Sequence, residues 1–172
     1  EPQVVPVVEV LEEEKDSLRL ARLASVPPTA EAARALGEGL ARLHDAGAPS
    51  FGWTPAPTAW FGPLESPFAV ESPERGDFAR YWADDRLRPV ADAVTRALGA
   101  DGHDTVDEAI DIIADGAFDG VSGQGEEDPA RVHGDLWSGN VLWTAEGATL
   151  IDPAAHGGHR LEDLAMLSLF GA

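Results

Sequence analysis

The 172-residue chain contains no cysteine, which excludes disulfides, thiolate metal sites and cysteine nucleophiles together. No apolar run approaches the ~18 residues of a membrane span, and no signal-peptide pattern opens the chain, so a cytoplasmic location is expected. Positive charge is scarce: 12 Lys and Arg stand against 31 Asp and Glu, for a net charge of −19. Such a surface repels phosphate backbones and anionic membranes, so neither nucleic acid nor a bilayer is an expected partner. Lysine is reduced to Lys15 alone, in a charged stretch. There is no G-x-S-x-G elbow to support a serine hydrolase, and there are no internal repeats.

Hydrophobic residues make up 44% of the chain, and this length can bury roughly 70% of the unfolded surface, so a packed core is expected. Val4-Val5, Val7 to Leu11 and Leu18 to Leu23 read as strands around the charged turn Glu12 to Ser17. Thr29 to Ala46 is the clearest helix: Thr29 caps it, Ala33, Leu36, Leu40 and Leu43 recur at helical spacing, and Gly47 closes it. Gly37 and Gly39 each cost about 1 kcal/mol there, so close packing must support it. His44 is placed to meet the helix dipole. Gly47 to Gly76, rich in Pro, Gly and aromatics, reads as a long functional or mobile loop. Asp77 to Gly99 reads as a helix broken before Pro89, and Thr105-Val-Asp-Glu108 as a capping box opening the next one, which ends at Gly116. Asp115 to Pro129 reads as an acidic loop, and Leu161 to Phe170 as an apolar helix.

The chemistry concentrates in Arg131-Val-His-Gly-Asp-Leu-Trp-Ser-Gly-Asn-Val-Leu-Trp143 and in Ala148-Thr-Leu-Ile-Asp-Pro-Ala154. Asp135 and Asn140 stand five residues apart, the offset that a kinase catalytic loop uses for its proton-accepting Asp and its magnesium-binding Asn. Val141-Leu-Trp143 and Thr149-Leu-Ile151 read as strands joined at Ala145-Glu-Gly147, so the second strand would return Asp152 to the same place. Phosphoryl transfer needs this set: one carboxylate facing the acceptor hydroxyl, and hard oxygen ligands holding magnesium against the phosphates. Among the supporting residues, His133 reads as a structural histidine bonding backbone, and Trp137 and Ser138 as packing or substrate-shaping groups. His159 and Arg160 are expected to hold the segment after Asp152, and Asp163 to pin the loop. Other readings are weaker. His156-Gly-Gly-His159 suggests zinc but has no cysteine and no fixed geometry, and an Asp135–Asp152 glycosidase pair leaves Asn140 without a role.

His133-Gly-Asp-Leu-Trp-Ser-Gly-Asn140, Ile151-Asp-Pro-Ala154, Gly158-His-Arg160, Asp163-Leu-Ala-Met166 and Leu169-Phe-Gly171 together closely resemble the fructosamine kinase (ketosamine-3-kinase) family, within the aminoglycoside-phosphotransferase-like small-molecule kinases. His156 stands where the family usually has Tyr, and Leu161 where it has Glu. The resemblance implies an α+β, protein-kinase-like fold. Residues 1–25 would be N-lobe strands and hinge, and residues 26–172 a mainly helical C-lobe, incomplete at its end. Leu20, Ala21, Arg22 and Leu23 would be the hinge against adenine, with ATP and magnesium (Mg2+) as cofactors. The implied substrate is an amine-linked sugar, free or on a glycated protein, handled by a monomer. An aminoglycoside kinase and a non-catalytic kinase lobe are the alternatives.

The resemblance covers the middle of a full kinase. The phosphate-covering loop and the Lys–Glu pair of the N-lobe are not found, and the Gly-rich stretch Gly116 to Gly125 runs into acidic residues and reads as a loop. The 172 residues by themselves are therefore expected to be nearly inactive, with Val4 to Leu11 as an unpaired sheet edge.

Overall fold

A computed structural model describes residues 4–15, 17–61, 68–71, 75–120 and 128–171, with only the backbone at 61 and 68–71. The chain forms two compact units. One comprises Glu1–Ala46, Arg131–Ala155 and Arg160–Ala172; the other comprises Gly47–Ala130 and His156–His159.

In the first unit, β1 (Val10–Glu14) and β2 (Ser17–Leu20) form an antiparallel hairpin, tighter than the sequence suggests because Glu12 to Glu14 belong to the strand. Then comes α1 (Ala30–Asp45), whose Thr29 hydroxyl accepts the Ala32 N–H at 3.1 Å. Its buried side carries Leu36, Gly39, Leu40 and His44. A Cβ on Gly39 would lie 2.9 Å from the Val5 nitrogen, so this glycine permits the close approach its cost requires. Gly37 has no such neighbour.

The Val4–Leu11 edge is not left unpaired. Val8 donates to the Leu150 carbonyl at 2.9 Å, Leu150 donates to Pro6 at 2.8 Å, and Val7 bridges Leu150 in parallel. The partner lies some 140 residues away in sequence, which is why local reading missed it. Val5 is buried with Leu36, Leu40, Leu136, Val141, Ala148 and Leu150 in one apolar cluster. Each fully buried aliphatic side chain contributes about 1.5–3 kcal/mol. β6 (Val141–Thr144) and β7 (Gly147–Leu150) form the expected hairpin, with Val141 opposite Leu150 and Thr144 opposite Gly147. β5 (Ala130–Val132) precedes it, and the apolar helix expected near the end of the chain forms as α4 (Leu161–Phe170).

The second unit departs more from expectation. The supposed long loop contains a hairpin of β3 (Thr58–Phe61) and β4 (Phe68–Glu71); residues 62–67 between them and 72–74 lie outside the described residues. Asp77 caps α2 (Phe78–Arg80), accepting the Arg80 N–H at 2.8 Å. A π-helical stretch, Tyr81–Leu87, runs directly into α3 (Arg88–Ala114). The chain stays helical through Pro89, which follows directly on the π-helical turns, a local widening of the helix at the point where the proline has no N–H to donate. The break falls at Gly99 (φ 70°, ψ 174°), where the sequence reading ends this helix. Helix resumes at once after it, so Thr105 lies inside the helix and its hydroxyl donates to the Asp101 carbonyl at 2.9 Å rather than capping.

Ala83, Ala91, Ile110 and Ala114 form a second apolar cluster. β8 (His156–Gly158) is buried: Gly157 donates to the Trp53 carbonyl at 2.7 Å, and a Cβ on it would overlap the Ser50 carbonyl. Of the acidic loop, residues 121–127 lie outside the described residues. No helix among the described residues is long and apolar enough to cross a membrane.

Candidate active site

The segment from Val132 to Val141 is held by polar contacts to its backbone and by the burial of Val132, Leu136 and Val141. Gly134, immediately before Asp135, adopts φ 82°, a conformation glycine enters at no steric cost. The backbone N–H groups at this point are both held. Those of His133 and Gly134 donate to the Asp163 carboxylate of α4, at 2.9 Å (Oδ2) and 3.0 Å (Oδ1). Leu136, next to Asp135, is fully buried and anchors the loop in the apolar cluster.

His133 is buried, with Nδ1 3.3 Å from the Asp135 N–H and Nε2 2.9 Å from the Ile151 carbonyl. Nδ1 therefore accepts and Nε2 donates, which fixes a neutral tautomer and ties the loop to the end of β7. Asn140 is 5% exposed; its Nδ2 donates to Asp135 twice, to the carbonyl at 2.8 Å and to Oδ2 at 3.1 Å. A single 3-10 turn, Ser138–Asn140, sets this spacing. Ile151 donates to the Asn140 carbonyl at 3.1 Å. Asp152 thus follows a residue fixed on both sides, and it sits exposed at φ 50°, a left-handed position that Asp tolerates better than most side chains.

Trp137 is 44% exposed, and its ring lies over Gly139, where any Cβ would overlap it. Ser138 donates to the Phe170 carbonyl at 2.7 Å, so α4 holds the loop from its last turn as well as its first. Arg160 pairs with Asp45 at 3.2 Å. His159 belongs to the second unit, its ring 5.0 Å from that of Phe78, and buried His156 lies 6.2 Å from the Tyr81 ring. Leu20 ends β2, Ala21 donates to the Glu9 carbonyl at 2.9 Å, Arg22 is exposed, and Leu23 is half-buried. The chain then returns to the hairpin, with Val26 donating to the Trp143 carbonyl at 2.9 Å. The loop contacts bring together Asp135, Asn140, His133 and Asp163, and they fix the residue from which Asp152 departs. They do not involve Leu20 to Leu23.

Sequence reasoning missed His44. Its Nε2 lies 2.9 Å from Asp163 Oδ2, and both side chains are buried. The clue was its place on the apolar stripe, four residues after Leu40: a polar ring on a buried face requires a partner. Burial pushes the Asp163 carboxyl up, but the hydrogen bonds from His44, His133 and Gly134 outweigh it and hold the group below the usual carboxylate range.

The donor set fits magnesium. The Asp152 carboxylate and the Asn140 amide oxygen are hard ligands, and magnesium keeps several waters or phosphate oxygens in its octahedron. Among the described residues no cluster of three His, Cys, Asp or Glu offers a competing all-protein metal cage.

The family model described as fructosamine kinase matches residues 3–172. A probable ketoamine kinase of Synechocystis is 34% identical over 139 residues, 79% of this chain and 42% of that protein. Mouse ketosamine-3-kinase is 30% identical over 103 residues, 58% of this chain and 32% of that protein. A crystal structure of a candidate fructosamine-3-kinase from Thermobifida fusca aligns with a TM-score of 0.80 and 41% identity, over 97% of this chain and 55% of that one. The chain thus spans about half the length of these fuller relatives.

Proposed function

Because the chain belongs to the fructosamine kinase family, we propose that it supplies the catalytic loop of an ATP-dependent kinase that phosphorylates a sugar hydroxyl of a ketoamine. The fold is then protein-kinase-like, with residues 1–25 contributing N-lobe strands and hinge and residues 26–172 the C-lobe. Asp135 takes the proton of the acceptor hydroxyl as its oxygen bonds to the γ-phosphorus and the bond to the bridging oxygen of ADP breaks. Asn140 and Asp152 would hold magnesium, which neutralises charge on the phosphates. Leu20 to Leu23 would meet the adenine. The substrate class is a small amine-linked sugar or a glycated protein, and the assembly a cytoplasmic monomer.

The observation that carries this reading is the clasp between Asn140 and Asp135. An amide that holds the base at 3.1 Å couples metal binding to the aim of the base. The test is an ADP-coupled assay of the full gene product. A fructosyl- or ribulosyl-lysine should stimulate ATP turnover more than an aminoglycoside does. The reverse order would move the assignment to antibiotic phosphorylation. Asp135→Asn should lower kcat by about 10²–10⁴-fold, the usual contribution of a general base, while the protein stays folded. Wild-type turnover in that variant would remove Asp135 from the mechanism.

A further inference from the structure

Arg88 reaches Asp111, 23 residues further on, at 2.9 Å, although an unbroken helix would set them about 35 Å apart along its axis. The backbone at Gly99 therefore folds α3 back on itself into two arms. Near its base this hairpin is cemented by Ala83, Ala91, Ile110 and Ala114. Toward the tip the cement runs out: among the described residues from Asp92 to Ala109 none is buried, though half-buried Val106 packs against the cluster. Charge crosses between the arms there instead. His103, on the second arm and 19% exposed, has Nε2 3.5 Å from Asp92 on the first arm and Nδ1 3.3 Å from Asp107, one turn along its own arm. Arg88 faces Asp107 from the first arm at 3.7 Å. On the elements packed against α3, Asp84 is turned to Arg88, Asp85 to Arg75, and Arg80 to Asp115. We propose that His103 is a pH-gated latch on this helical hairpin. Its imidazolium holds the tip closed against Asp92, and loss of the ring proton lets the tip open while the base stays packed.

The gating follows from the donors of the ring. Only the imidazolium carries an N–H on both nitrogens. A neutral ring must turn a lone pair toward one of two carboxylates that both lie within contact, so attraction gives way to repulsion on that side. The other link between the arms does not titrate, since Arg88 keeps its charge at any working pH. His103 is also the one histidine in the stretch from Gly47 to Ala130, so no other ring there changes charge between about pH 5 and 8. The charged ring is the form that gains partners on folding, which fixes the sign. The latch is fully present below the ordinary histidine value of about 6.5 and is lost as rising pH removes the ring proton. Asp92 is 68% exposed, so the effect is local and modest rather than global. An ordinary solvated histidine would show neither a dependence on Asp92 nor confinement to the tip. The proposal does not depend on the kinase reading.

The experiment measures amide hydrogen-exchange protection in the full gene product at about pH 5.5 and about pH 8.5, either side of the histidine range, with each rate referred to the intrinsic rate at that pH. Amides from Thr95 to Thr105 report the tip, and those from Ile110 to Ala114 the base. In the unmodified protein, tip protection should be about three- to tenfold higher at the lower pH, with the base unchanged. His103→Gln, neutral throughout, should show the low tip value at both. His103→Arg, charged throughout, should show the high value at both. Asp92→Asn should remove most of the difference, because Asp107 lies on the same arm as the ring and cannot close the tip alone. Equal tip protection at the two pH values in the unmodified protein would overturn the latch, and that comparison requires no variant to fold. A difference that survives in His103→Gln, or one that the base shares equally, would overturn it as well.

Discussion

The loop from Arg131 to Asp152 and the helical stretch from Phe78 to Ala114 are held by different balances of force. In the loop, Leu136, Val141, Ala148 and Leu150 pack in an apolar cluster, and backbone N–H and carbonyl groups are in addition bonded to particular side chains: Asp163 at one end of α4, Ser138 at the other, Asn140 and His133 between. In the helices, Ala83, Ala91, Ile110 and Ala114 pack together, and the ion pairs around Arg88 and Arg75 lie toward solvent. Hydrogen bonds fix direction steeply, whereas apolar contact fixes mainly separation. A loop that aims a carboxylate, as proposed for Asp135, therefore needs the first kind of support, and a scaffold can manage with the second.

The sharpest break of this contrast is Asp163→Ala. It leaves His44 buried without its partner and frees two backbone donors, so it should cost on the order of 3–5 kcal/mol. Urea unfolding would measure this, and a loss under 1 kcal/mol would mean that the loop does not depend on its polar ties. Ile110→Ala, at 3% exposure in the helical cluster, should cost about 2–4 kcal/mol through transfer and cavity terms. Its mark is different: the midpoint falls while exchange at His133 and Gly134 stays matched to global stability.

The same contrast explains what was legible in the sequence. The β6–β7 hairpin could be read because its alternation and its Glu146-Gly147 turn are local, and so could α1, from its cap and the spacing of Leu36, Leu40 and Leu43. His44 could be seen as polar on an apolar face, but its partner lay 119 residues away. Val7 met Leu150 by the same kind of distant pairing. The helices went astray for a local reason: Pro89 and Gly99 are both helix breakers, and only the surrounding backbone decides which one breaks. Thr58-Ala-Trp-Phe61 was hidden among prolines and glycines that outweigh a four-residue strand.

Acid offers a finer probe. The Asp163 carboxyl is held below its ordinary value in the folded protein, so its contribution is present above the unfolded carboxylate value of about 3.9 and is lost as pH falls through the lower folded value. Below about pH 4, protection of the His133 and Gly134 amides should therefore decline before that of the Ile110 turn. Simultaneous loss would show that the two regions respond to acid as one. Gly99→Ala should cost about 1–3 kcal/mol, since φ 70° with ψ 174° is a backbone region open essentially to glycine alone. Thermal unfolding would register it, with no selective effect on the loop.

The smallest effect is expected where the structure looks most richly bonded. Arg88 reaches Asp111 at 2.9 Å, Asp84 at 3.5 Å and Asp107 at 3.7 Å, which on paper rivals the contacts of Asp163. Asp111, however, is 68% exposed, and water already solvates what the guanidinium would offer it. The hydrogen bond to Asp111 leads the upward displacement of the Arg88 pKa, which burial opposes, but Arg88 is charged at any working pH, so the displacement has no titration to couple to. Asp84 and Asp107 also remain to take up the charge if Asp111 is removed. Asp111→Ala should therefore change stability by less than about 1 kcal/mol, and the change should shrink further in 1 M salt, where the screening length falls to about 3 Å. Comparing urea midpoints of the two proteins at low and high salt would measure it. A loss as large as that of Asp163→Ala, and insensitive to salt, would mean that the helical region also relies on directed polar contacts, and the distinction between the two regions would fall.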